Sequence, residues 1–138
     1  MNSGHSVQVH AWNHPAFPSL SNYSIQQQIL RTSAAIRAES GTQTTCYRPP
    51  YGSTNDRVRA AAAAVGHAPE ILWNVNPSDY LRPAPYTMIS HVLTRATGRG
   101  LIVGLHDGGG NRSNTVAALP GMIEGLLARG YQFVTLCD

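Results

Sequence analysis

Hydrophobic and polar positions along the 138-residue chain fall into two alternating patterns. Short runs rich in β-branched and aromatic residues, at 6–10, 44–48, 70–75, 101–105 and 131–136, read as strands. Each of the last four follows a longer stretch with helical spacing. The first helix is expected to start at Ser24, whose hydroxyl caps the backbone while Gln27 reaches back, and to run through Ile25, Ile29, Leu30 and Ile36 to a stop at Gly41. A second runs from about Asn55 through the alanines 60–64 to Gly66, a third over about 86–96, and a fourth over about 116–129, with Gly121 interrupting its regularity. Strand-then-helix repetition predicts an α/β fold with a mostly parallel sheet, either open or closed into a barrel. In such folds chemistry sits on loops at the C-terminal ends of strands. Segments 10–14, 48–52, 76–80 and 106–110 occupy those places, and their His, Arg, Asp and His are expected at one mouth.

Composition narrows the function. Hydrophobic residues make up 42% and charged residues 12%, which excludes a highly charged disordered chain and leaves a single domain over 1–138 as the expectation. All ten basic residues are arginines scattered along the chain, so the net charge of +3 marks no basic patch and no nucleic-acid partner is expected. No apolar run approaches the roughly 20 residues of a membrane span, and residues 1–15 lack a charged-then-apolar secretion signal. Cys46 and Cys137 have no metal-ligand spacing; they are a disulfide or two buried thiols, and buried thiols are the expectation.

Each loop segment carries candidate chemistry beside a plainer reading. His10 and His14, four residues apart, can share a metal ion from one helical turn, or be two surface histidines. Arg48-Pro49-Pro50-Tyr51-Gly52 fixes an extended path and a turn that can aim a backbone N–H into a cleft, or is only a rigid surface turn. Asp79, in Asn76-Pro77-Ser78-Asp79-Tyr80, can orient a histidine or merely form a turn. His106, ahead of Asp107 and three glycines, can protonate a leaving group when a carboxylate partners it, or lead into a flexible turn. His5, His67 and His91 lack such placement and read as structural or solvated.

In combination, these four segments resemble, in order and spacing, the NodB-type polysaccharide deacetylases, carbohydrate esterase family 4. The resemblance spans about residues 4–136. It implies an incomplete or distorted (β/α) barrel and removal of acetyl groups from N-acetylated sugars in chitin- or peptidoglycan-like glycans. It further implies a divalent metal, with zinc expected, held by His10 and His14 and a third, aspartate ligand. Arg48 corresponds to the arginine that supports the catalytic base, the Tyr51 backbone N–H to the oxyanion donor, His106 to the general acid and Asp79 to its carboxylate partner. Tyr80 stands where the family usually has Trp at the wall of the substrate groove, with Trp73 and Tyr51 as further aromatic contacts, and Gly104 stands where a Leu often lines the acetate pocket. Members often act at the cell envelope.

One departure is large. The family's Thr-Phe-Asp-Asp-Gly motif, source of the general base and the third metal ligand, has no counterpart among Asp56, Asp79, Asp107, Asp138, Glu39, Glu70 and Glu124. The expectation is therefore a domain whose first strand and helix are missing at the N-terminus, with a sheet edge covered by a homodimer or a strand-donating partner. The alternative is a homologue without deacetylase activity. It would bind glycan or protein through Trp12, Tyr51, Trp73 and Tyr80, or turn its histidines to other chemistry.

Overall fold

Among the described residues, four α-helices form close to the expected positions: α1 (Asn22–Ser40), α2 (Asp56–Ala63), α3 (Pro85–Arg95) and α4 (Ser113–Leu127). The computed structural model describes residues 4–137. Two compact units divide them, one of residues 4–72 with 134–137 and one of Trp73–Phe133.

In the first unit, backbone at Val9, Tyr47 and Glu70 lies side by side and parallel. The Arg48 N–H donates to the Val9 carbonyl at 2.9 Å and the Ile71 N–H to the Tyr47 carbonyl at 2.8 Å. Order 9, 47, 70 steps in one direction, and right-handed crossovers then put both connecting helices on the same side. Accordingly, α1 packs against α2. Ile25 and Ile29, one turn apart on α1, are buried with Val9, Phe17, Tyr47, Val58, Ala61 and Ala62. The cap of α1 is Ser21 rather than Ser24: the Ser21 hydroxyl accepts the Ser24 N–H at 3.1 Å. Gly41 stops the helix in the left-handed conformation, as expected.

Two further expectations are corrected here. The strands appear as isolated bridges, without extended ladders, among the described residues. Pro49, Pro50 and Pro69 have no N–H to donate, and the Tyr47 and Val9 N–H bonds stretch to 3.4 Å, so consecutive ladder bonds do not accumulate. Cys46 and Cys137 are joined in a disulfide instead of being buried thiols. Their separation of 91 residues hid the contact; the Thr45 hydroxyl on the Cys137 carbonyl and the Ser6 hydroxyl on the Leu136 carbonyl tie the C-terminal segment beside Cys46.

In the second unit, Val75 pairs in parallel with Val103, and α3 is the crossover between them. Met88 and Val92 of α3 meet Ala118, Met122 and Leu126 of α4 in a core that also takes in Val75. Gly121 does not break α4. A Cβ there would lie 2.7 Å from Ile89 Cδ1, and one at Gly125 would lie 2.6 Å from Leu93 Cδ1, so the two glycines let the helices approach closely. The expected strand 131–136 forms no bridge among the described residues. None of the described helices is long and apolar enough to cross a membrane.

Candidate active site

Backbone strain marks the loops that follow the bridged residues. Among the described residues, six non-glycine positions have positive φ; four of them, Ala11, His14, Tyr51 and Ser78, lie within the expected site segments, and Arg82 lies two residues beyond one. Such conformations are held only where the surroundings over-determine them.

In the first unit the loop after Val9 brings His10 and His14 together, with ring centroids 5.0 Å apart and planes at 69°. The segment is not the helical turn that a four-residue spacing suggests. Ala11 (φ 123°) and His14 (φ 62°) fold it back on itself. Gln28 of α1 holds this turn, its Oε1 accepting the Trp12 N–H at 2.9 Å and the Asn13 N–H at 3.1 Å. The Arg31 guanidinium lies 4.5 Å from the centre of the Trp12 ring. His10 Nδ1 sits 2.8 Å from the Arg48 carbonyl, a bond that requires the Nδ1–H tautomer and assigns any coordination by His10 to Nε2.

Arg48 therefore serves this loop through its backbone, and its half-buried guanidinium donates to the Ile71 and Leu72 carbonyls. Burial pulls its pKa below the ordinary arginine value. Tyr51 occupies the left-handed region (φ 61°) in a 3-10 turn closed by Gly52 N–H to Pro49 O and Ser53 N–H to Pro50 O, each 3.0 Å. Neither bond uses the Tyr51 N–H. Its ring, 68% exposed, meets the His14 ring edge-on at 4.6 Å.

His10 and His14 are donors of the right kind for a divalent ion, but the described residues contain no group of three or more His, Cys, Asp or Glu placed to hold one. The pair fits part of a coordination shell.

In the second unit Asp79 opens a 3-10 turn, Asp79–Leu81, and is completely buried. Its Oδ1 accepts His106 Nδ1–H at 2.7 Å; its Oδ2 accepts the His106 backbone N–H at 2.9 Å and the Thr115 hydroxyl at 3.0 Å. Burial alone raises the Asp79 carboxyl pKa, and the bonds from the His106 ring, the His106 N–H and Thr115 outweigh it, holding the group below the ordinary carboxylate range. The His106 side chain is 46% exposed, so its ring carries contact from a buried anion out to the surface. Tyr80, 51% exposed, stands edge-on to it at 5.8 Å. Trp73 lies against Gly104, where a Cβ would come within 2.9 Å of the indole Cγ, so the ring fills the place of a side chain at 104. Beyond Tyr80 a recess opens to solvent between Leu81, Arg82, Asn111, Ser113 and Asn114.

The structure thus groups His10, His14, Arg48 and Tyr51 in one unit and Asp79, Tyr80 and His106 in the other. Sequence reasoning missed Gln28 and Thr115. Thr115 stands directly before the apolar run 116–119, whereas Gln28 is the last of three consecutive glutamines and nothing in the sequence singles it out.

Comparison with known proteins identifies the family. The polysaccharide deacetylase family model matches residues 1–69. This chain belongs to the polysaccharide deacetylase family. A peptidoglycan-N-acetylglucosamine deacetylase of Listeria monocytogenes is 35% identical over 136 residues, 99% of this chain and 28% of that protein's length. A family 4 carbohydrate esterase from Streptomyces lividans, solved in complex with acetate, superposes with a TM-score of 0.80 at 30% identity, covering 90% of this chain and 62% of that one. A family 4 pseudoenzyme from Bacillus anthracis superposes with a TM-score of 0.85 at 31% identity, covering 94% and 44%, and a mutant of it with restored enzymatic activity does so equally well. The barrel of α-helices and β-strands is the fold of these neighbours.

Proposed function

We propose that this chain carries the histidine pair and the general acid of a metal-dependent hydrolase that removes acetyl groups from N-acetylated sugars in peptidoglycan- or chitin-like glycans. The observation that carries this reading is the Asp79–His106 pair: a completely buried carboxylate 2.7 Å from an imidazole that reaches solvent. Asp79 keeps the proton on Nδ1 and balances the charge of the imidazolium, so Nε2–H is the acid presented to substrate. As water adds to the amide carbon and the C–N bond breaks, that proton passes to the departing amine nitrogen. The Tyr51 N–H donates to the carbonyl oxygen as it gains negative charge, and the exposed rings of Tyr51 and Tyr80, with Trp73, offer faces on which sugar rings stack. A divalent ion, when bound through His10 and His14, supplies Lewis acidity at the carbonyl. The general base and the anionic third ligand are assigned to an Asp-Asp motif outside these residues, in a domain of which this chain is the larger part.

The test joins an N-terminal segment bearing Thr-Phe-Asp-Asp-Gly to the chain and measures acetate released from N-acetylated oligosaccharides. Release that is abolished by a chelator and by His106→Gln is expected; release that survives both overturns the reading. Zinc titration of the same protein should weaken in His10→Ala and in His14→Ala. Likeness to a pseudoenzyme favours a second reading, a glycan-binding module. Its signature is saturable sugar binding without acetate release, unaffected by chelator.

A further inference from the structure

We propose that Thr115 is a positioning residue for the Asp79–His106 pair, its hydroxyl locking the buried carboxylate so that Oδ1 alone faces the His106 ring. The inference rests on the reading of His106 as the general acid and adds the group that fixes its orientation. An ionised carboxylate has about four lone-pair sites and turns readily about its Cβ–Cγ bond. Here Oδ2 is claimed from two directions, by the His106 backbone N–H at 2.9 Å and by Thr115 at 3.0 Å. Only Oδ1 is left to meet Nδ1–H, at 2.7 Å. Asp79 is completely buried, so water cannot substitute for a lost donor.

Thr115 is itself buried and lies in the first turn of α4, a rigid element whose N-terminal end favours negative charge nearby. Its donor comes from a chain segment separate from that of His106, so the clamp spans two segments. A flipped or tilted carboxylate would weaken the hold on Nδ1–H and admit the other imidazole tautomer, which offers no lone pair at Nε2 to exchange its proton in turnover. Ionisable groups beside the pair are Tyr80, edge-on to His106, and Asp107, next in the chain; on α4's approach, Arg112 is turned away to the Gly108 and Gly109 carbonyls.

The test uses the whole chain without metal or substrate. Carboxyl 13C and ring 15N spectra of Asp79 and His106 are recorded against pH for wild type, Thr115→Val and Thr115→Ser. Valine matches threonine in shape and removes the donor; the Asp79 carboxyl should then titrate about one pH unit higher, with His106 populating both tautomers. Serine should restore the wild-type titration and the Nδ1–H tautomer. A folded Thr115→Val chain with unmoved Asp79 titration and an unmixed tautomer overturns the proposal. Should valine prevent folding, Thr115→Ala is read in the same way against Thr115→Ser. The acid role of His106 fails separately, by acetate release that survives His106→Gln, a measurement independent of these spectra.

Discussion

Replacing Asp79 with asparagine keeps the shape of the side chain and removes its charge. Three donors converge on the native carboxylate: the His106 ring at 2.7 Å, the His106 N–H at 2.9 Å and the Thr115 hydroxyl at 3.0 Å. Hydrogen bonds to a charged group contribute about 1.5–3 kcal/mol each, and neutral ones about 1 kcal/mol. The best asparagine rotamer turns Oδ1 toward the His106 N–H and Thr115, so both bonds survive without charge assistance. Its NH2 then meets His106 Nδ1, which must release its proton and accept. Losing charge assistance at three bonds outweighs the relief of no longer burying an anion, and the net expectation is a loss of about 2 kcal/mol at neutral pH.

The pH dependence supplies the check. Because the folded Asp79 pKa is depressed, the stability it contributes is complete above the unfolded carboxyl pKa, about 3.9, and is lost as pH falls through the folded value. Urea denaturation followed by circular dichroism, from pH 7 stepwise to below pH 3, should show the gap between wild type and Asp79→Asn closing at the acid end. A variant as stable as wild type at pH 7, or a gap constant down to that limit, refutes the reasoning. In 15N spectra the same variant should move the His106 proton from Nδ1 to Nε2.

Gln28→Leu removes the acceptor of the Trp12 and Asn13 N–H groups, and zinc affinity measured calorimetrically should fall about tenfold as the His10–His14 turn loosens, with Gln28→Glu recovering most of it. Opening the Cys46–Cys137 disulfide, which closes a 91-residue separation, should lower stability by about 4–5 kcal/mol in the chain-entropy account, read as a shift of the urea midpoint on reduction or in Cys46→Ser/Cys137→Ser. A midpoint indifferent to reductant would count against any contribution from the crosslink.

Much of the helical layer was legible because helices announce themselves locally. Gly41 was the expected stop and forms it in the left-handed conformation; the structure adds that Asn55 caps α2 through its side chain and that Pro85 opens α3 one residue ahead of the expected start. Ser21 and Ser24 were harder to separate, since both are capping residues three apart and only the backbone angles decide which stands outside the helix. The strands were placed by β-branched runs, yet prolines beside Tyr47 and Glu70 removed donors, and what remains is parallel bridging at single residues. Gly121 illustrates the limit of local reading. Its effect on helix propensity is visible in sequence, but its use, contact with Ile89, depends on a neighbour 32 positions away in the chain.

The candidate site divides in the same way. Residue types and their order, His10, His14, Arg48, Tyr51, Asp79 and His106, are properties of the sequence, and they carried the resemblance to the polysaccharide deacetylases that the family match established. Geometry came from tertiary structure alone. That His10 is steered by the Arg48 carbonyl, that Gln28 folds the histidine turn, that Thr115 completes the donors around Asp79, and that Cys46 finds Cys137 are contacts between residues 15 to 91 positions apart. Sequence patterns encode periodicity and local backbone preference, which act over a few residues; pairing across such distances is fixed only when the packed core brings separate segments within hydrogen-bond range.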